Sequence, residues 1–202
     1  MNAALTEKIT RLCGSFESLE TFFFRRSVEK AFQLDEPSFQ HSGAPTTTVI
    51  DDVMFVLKKV LDRAMSTADA NLIRIICANT RRILDLDFAG VIKRRSALDS
   101  QLSSGKSDDG GQREKLRSFI AGLNNLEMSS ESVMALTKGY LAYDFRGIFP
   151  FEGHAKITEV AIMNLGNLKE RFDSYLHVFP FLIILILGRI GDSVCTVGET
   201  RN

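Results

Sequence analysis

The sequence predicts an all-α protein, an elongated antiparallel bundle or rod of four or five helices. Three observations carry that prediction. Apolar residues recur at spacings of three and four along most of the chain, alternating strand patterns are almost absent, and the breaks are marked by proline or by runs of Ser, Gly and Asp. No repeat of fixed length is present, so a regular solenoid is not expected.

The first helix is read from Leu5, Ile9, Leu12, Phe16, Leu19 and Phe23, whose spacings of four, three, four, three and four make a heptad seam. Such a seam joins a partner helix or packs within its own chain, and the residues leave both open. Phe22 and Phe24 broaden it, and Val28, Ala31, Phe32 and Leu34 carry the helix to Glu36-Pro37. Proline disfavours helical geometry in the residue before it, so the helix stops there. Pro37 to Pro45 reads as a loop. Thr48 with Asp51 three residues on makes a variant capping box, which places an acid at the positive end of the second helix. That helix carries a full amphipathic stripe of Ile50, Val53, Met54, Leu57, Val60 and Leu61.

Ser66 or Thr67 is expected to cap a third helix with Leu72, Ile73, Ile76, Ile83, Leu84, Phe88 and Ile92 inside, and Arg74, Arg81, Arg82 and Asp85 outside. Lys93-Arg94-Arg95 falls at its C-terminal end, where cations favour the helix dipole. A fourth helix places Leu116, Phe119, Leu123, Leu126, Val133 and Leu136 inward. After a break around Pro150, a last helix carries Ile157, Ala161, Leu165, Leu168, Phe172 and Leu176. The expected organisation is a three-helix segment over residues 1–95, a flexible linker over 96–112, a helical continuation over 113–176, and an atypical tail over 177–202.

The tail breaks the pattern. Val178 to Leu187 is an apolar run of ten, about 15 Å as a helix and only about half of a bilayer core. With Pro180 inside it and Arg189 and Asp192 close behind, it reads as a buried or sticky tail rather than a membrane span. Its abrupt loss of helical period also fits translation of a retained intron or a frameshift.

Composition narrows the function classes. Apolar residues make up 45% of the 202, enough for a core, while 25 basic and 25 acidic side chains give zero formal net charge. Nothing global draws the chain to nucleic acid or to an anionic membrane. Cys13, Cys77 and Cys195 are an odd, scattered set and no Asn-x-Ser/Thr sequon occurs, which suits a reducing compartment. Residues 1–11 lack the apolar stretch of a signal peptide.

No constellation carries chemistry. Ser104-Gly105-Lys106-Ser107 ends like a phosphate-binding loop, but the position that must be glycine is Ser100 and no strand precedes it. His41, His154 and His177 lie far apart, with no Cys or His at ligand spacing. Asp51 and Asp52 point about 100° apart on a helix and do not converge on a substrate. Asp108-Asp109-Gly110 lacks the further acids of a calcium loop. The pairs Arg25-Arg26 and Arg81-Arg82 and the run Lys93–Arg95 read as solvated faces balanced by Glu20, Glu29, Asp85 and Asp87. We therefore expect no catalytic, cofactor-binding or metal residues, no cofactor, and a scaffolding, adaptor or tethering role.

Three stretches resemble a known family. Leu19-Glu20-Thr21-Phe22-Phe23-Phe24-Arg25-Arg26-Ser27-Val28-Glu29-Lys30-Ala31 is similar to a segment of the fourth-subunit family of the conserved oligomeric Golgi complex, and so is Thr48-Val49-Ile50-Asp51-Asp52-Val53 with its Lys58-Lys59 end. Phe119 to Glu127, with Leu123-Asn124-Asn125-Leu126, resembles a third segment, in the same order. The likeness runs from about Phe16 to Leu176 and covers only a middle-to-late stretch of the family, without its N-terminal coiled-coil region or its C-terminal helical domain. It implies a helical rod of the multisubunit tether type in an eight-subunit complex, attached peripherally to the cytoplasmic face of Golgi membranes and acting in intra-Golgi retrograde vesicle transport. The implied partners are the other subunits, above all lobe subunits one to three, with syntaxin-type SNAREs and Sec1-like regulators, and no nucleic acid. The alternatives are a subunit of another helical-rod tether and a small membrane-anchored helical protein using residues 178–187.

Overall fold

A computed structural model of the chain describes residues 3–38, 45–95, 109–149 and 151–177. The expected tail over 177–202, with its apolar run, lies outside them except for His177, which is helical, and so do His41, Cys195 and the 100–107 stretch.

Helix α1 spans Ala3–Gln33 and ends before Pro37, as proline requires. Two residues on each side of the following segment, β1 Pro37–Ser38 and β2 Thr46–Thr47, pair antiparallel, so the expected loop is closed by a small bridge. Helix α2 spans Val49–Ser66 and α3 Ala70–Ile83. The axis of α3 continues through a π-helical turn, Leu84–Ala89, into residues 90–95. Helix α4 spans Asp109–Leu141, a short turn α5 spans Phe145–Ile148, and α6 spans Glu152–Gly166. After one turn residue at Asn167 the chain is helical again over 168–177, here α7.

Several local expectations are corrected. Thr48 does stand at the N-cap of α2, but its backbone is already helical and its side chain makes no capping bond. The Val49 N–H is instead satisfied by the Asp35 carboxylate at 3.2 Å, and the Thr48 hydroxyl accepts from the Glu36 N–H at 3.2 Å. Neither Ser66 nor Thr67 caps α3. Asp69 does, accepting from the N–H groups of Asn71 and Leu72 at 2.9 and 3.1 Å. The Thr67 hydroxyl faces backwards and donates to the Ala64 carbonyl at the end of α2. The α2–α3 turn is tight enough to hold Ala68 at φ 50°, a left-handed conformation uncommon for alanine. Helix α4 begins at Asp109, so the last residues of the expected linker are helical.

Helices α2, α3, α6 and α4 pack in a ring, each against the next, and α1 lies in the groove between α2 and α3. One continuous apolar core runs through them, with Phe24 and Val28 from α1, Leu57 and Val60 from α2, Ile76 from α3, Leu126 from α4 and Leu165 from α6. The stripes read for the second and third helices are the buried faces. On α4 only Phe119, Leu126 and Val133 of the expected set are fully buried, while Leu116, Leu123 and Leu136 are half-buried. Ala121 and Tyr140 are buried as well, and between these apolar positions lie buried polar side chains, some of whose partners are far away in sequence. Asn125 donates to the Thr47 hydroxyl and accepts from the Thr47 N–H, Asn124 donates to the Pro45 carbonyl, and Ser130 donates to Asp173. The Asn-Asn pair thus pins the β2 segment onto α4. A Cβ on Gly166 would come 3.0 Å from the Thr137 hydroxyl, so at this crossing of α6 on α4 any larger residue would need the Thr137 side chain to give by a few tenths of an ångström.

Candidate interaction surface

The most regular apolar pattern in the sequence faces solvent. Leu5, Ile9, Leu12, Leu19 and Phe23 are all exposed, Leu12 and Leu19 by 69% and 68%, and only Phe16 of the heptad seam turns partly into the core. Every residue from Ala3 to Leu12 is exposed. Helix α1 is buried instead along a second stripe of Glu20, Phe24, Val28 and Ala31. The open choice between packing within the chain and joining a partner is therefore decided among the described residues. Phe16 and the Arg63 contact of Phe23 apart, the seam is left open to solvent among the described residues.

Polar partners fix which face of α1 turns inward. Glu20 takes a two-bond fork from Arg63 on α2, 2.6 and 2.7 Å long, and is itself only 8% exposed. Asn79 on α3 donates to both Glu17 and Thr21 at 3.0 Å, and Arg25 reaches Asp87 in the π turn at 2.9 Å. These bonds rotate the Phe24 stripe into the groove and leave the Leu19–Phe23 edge outside. There the Arg63 guanidinium also lies over the Phe23 ring, 5.1 Å from its centre. Leu19, Phe22, Phe23, Arg26, Lys30 and Arg63 border an open groove of about 610 Å³. Arg26 pairs with Glu29, one turn on. Among the described residues Lys30 makes no ion pair.

The basic pairs are in part balanced as read from the sequence. Asp87 holds Arg25 and Glu29 holds Arg26, but Glu20 serves Arg63 and Asp85 serves Arg171. The Asp85 contact is a latch between the π turn and α7. Its carboxylate accepts from the Tyr175 hydroxyl at 2.7 Å and from Arg171 at 2.8 Å. Burial pushes its carboxyl up, but those hydrogen bonds and the charges of Arg171 and Arg81 outweigh burial and hold it below its ordinary value. A matching contact joins α2 to α4. The Tyr140 hydroxyl donates to Asp62 at 2.6 Å, and Asp62 also takes a bond from Lys58 at 2.8 Å. Burial raises Asp62 and the Lys58 and Tyr140 hydrogen bonds lower it, with a net downward shift. Both carboxylates are held between helices by hydrogen bonds from their neighbours.

The remaining candidates read from the sequence stay apart. His154 stacks edge-on to Phe151, 5.4 Å between ring centres, and His177 is exposed at the end of α7. Burial pushes the Cys77 thiol up to about 12, which leaves it a small core residue, while Cys13 is half-buried. Asp51 and Asp52 are both exposed in the first turn of α2. No group of three potential metal ligands occurs among the described residues, and none of their helices is long and apolar enough to cross a membrane. A second groove, lined by Ile157 and the exposed Val160 beside Arg74 and Lys156, lies along α6.

Comparison with known proteins bears on the α1 face. Residues 1–96 match the family described as COG4 transport protein, middle alpha-helical bundle. Conserved oligomeric Golgi complex subunit 4 of Mus musculus is 28% identical over 161 residues, 68% of this chain and 20% of the relative. The chain is similar to conserved oligomeric Golgi complex subunit 4. The subunit 4 proteins of Arabidopsis thaliana and Schizosaccharomyces pombe are each 25% identical and cover 97% and 91% of the chain. The chain spans about a fifth to a quarter of the length of these subunit 4 relatives, with 20%, 27% and 26% of each covered. No solved structure matches it. The α1 surface, with its groove and its Arg63 neighbour, lies wholly inside the segment matched to the subunit 4 middle bundle, whereas the α6 groove, Arg74 apart, lies outside it.

Proposed function

We propose that this chain is a non-catalytic part of a conserved oligomeric Golgi complex subunit that works through helix–helix contacts. The observation that carries the reading is the exposed α1 seam, a partner-type heptad inside the segment that matches the subunit 4 middle bundle. Its setting is intra-Golgi retrograde vesicle transport and Golgi organisation, with the protein attached peripherally to the cytoplasmic face of Golgi membranes. Its neighbours are the other subunits of the tether, above all lobe subunits one to three, with syntaxin-type SNAREs and Sec1-like regulators as contacts of the assembled complex. The carboxylates held between helices are consistent with a scaffold.

Affinity purification of the endogenous protein, tagged at its N-terminus and followed by mass spectrometry, tests the reading. Recovery of the other subunits of the Golgi complex is the expected result. Recovery of the subunits of a different helical tether, or of no tether subunit, would overturn it.

A further inference from the structure

We propose that the outward face of α1 seats an acidic amphipathic helix from another polypeptide, apolar along its length and bearing carboxylates at the end that lies over Arg26 and Lys30. This rests on the tether reading above and names the chemistry of the partner.

Two features show that the face is a seat for a helix. Leu5, Ile9, Leu12, Leu19 and Phe23 keep the three-four spacing of a coiled-coil seam while exposed. The first turns of α1, Ala3 to Leu12, have every residue exposed. These turns extend a helix whose later turns are packed, so they need no nucleus of their own, and covering the seam would add the side-chain packing they lack.

Charge identifies the occupant. Continued by three and then four, the seam positions after Phe23 are Arg26 and Lys30, so the apolar stripe ends in two cations beside Arg63. The carboxylates already near them, Glu29 and Glu20, are held by Arg26 and Arg63. Lys30 makes no ion pair among the described residues. A partner carboxylate therefore meets Lys30, the cation here without an ion pair among the described residues, beside the exposed and hence weak Arg26–Glu29 pair on the open border of the groove. A second copy of this chain does not fit. In a parallel pair Arg26 meets Arg26 and Lys30 meets Lys30, and in an antiparallel pair no carboxylate stands at any seam position from Leu5 to Phe23.

The test uses the full 202-residue chain and two synthetic heptad-repeat peptides of about four heptads. Both have Leu and Ile at the seam. One carries Glu and the other Lys at the flanking positions of one end. Fluorescence anisotropy should show the Glu peptide binding at least about tenfold more tightly than the Lys peptide. Leu12→Ser with Leu19→Ser should abolish binding with an unchanged thermal melt, because these side chains are exposed, and Arg26→Glu with Lys30→Glu, which breaks the Arg26–Glu29 pair and is compared at a temperature where it is folded, should reverse the preference. Equal binding of both peptides, no binding of the Glu peptide, or a dimer in sedimentation that the Leu12→Ser, Leu19→Ser pair dissolves would overturn the proposal. Affinity purification of the same serine variant separates the two levels. If the wild-type chain and the variant both recover the Golgi subunits, the seat is wrong and the tether reading stands. If the wild-type chain recovers none, the tether reading fails, and the peptide assay still decides the seat.

Discussion

Removing the Phe119 ring should cost about 3–5 kcal/mol, because it is 2% exposed and its loss leaves a cavity in the α4 core. The same change at Phe23 should cost less than about 1 kcal/mol, since that ring is 46% exposed and only edges the groove under Arg63. Urea melts of the two alanine variants check the pair, and equal losses would contradict the burial described here. From the sequence alone both rings qualify as core, each standing in an apolar stripe at helical spacing. What separates them is that the α2–α3 groove takes Phe24 and, with it, the opposite side of α1.

At the scale of an element, the decisive local events are caps and turns rather than apolar periods. Asp69 alone satisfies two N–H groups at the start of α3 and sits beside the strained Ala68. Asp69→Ala should therefore lose about 0.5–2 kcal/mol, read as a lowered urea midpoint, while Thr48→Ala should lose little through the cap itself because Thr48 makes no capping bond. The positions of α2 and α3 were legible in the sequence, but the identity of their caps was not. Thr48 and Thr67 are both good capping types, and the choice fell to Asp35 and Asp69 because the β1–β2 bridge and the left-handed turn aim those carboxylates at the helix ends. The π turn was not legible either. Its one inserted residue leaves the run Ile83, Leu84, Phe88, Ile92 looking like an ordinary helix face. The turn lets Asp85 face α7 while Asp87 faces α1, as shown by their separate partners Arg171 and Arg25.

Over the whole molecule, acids with depressed pKa values tie helices together at several places. Asp62 links α2 to Tyr140 of α4, Asp85 links the π turn to α7, and Asp173 on α7 takes a bond from Ser130 of α4 and pairs with Lys169. All three are lowered from the ordinary 3.8. For each, the unfolded chain binds the proton more readily than the folded one, so the contribution is present above the unfolded value and is lost as pH falls through the folded value. Stability toward urea should thus stay flat from about pH 7 to pH 5 and fall once the pH drops below about 4. Asp85→Asn should make that fall shallower, and an unchanged slope would show that the latch contributes nothing to acid sensitivity.

The sequence by itself determined the helices, the stop before Pro37, and the buried faces of α2 and α3. It also held the family likeness in the Phe-rich, Asp-Asp and Asn-Asn segments, the last of which proves to pin β2 to α4. Only the tertiary structure decided which side of α1 is inside. That helix is apolar on two faces, and the more regular one is the one left out. Periodicity measures how well a face fits some helix, without saying which. The choice was made by partners 43 to 62 residues away, Arg63 for Glu20, Asn79 for Thr21 and Glu17, Asp87 for Arg25, whose hydrogen bonds form only when the groove between α2 and α3 exists.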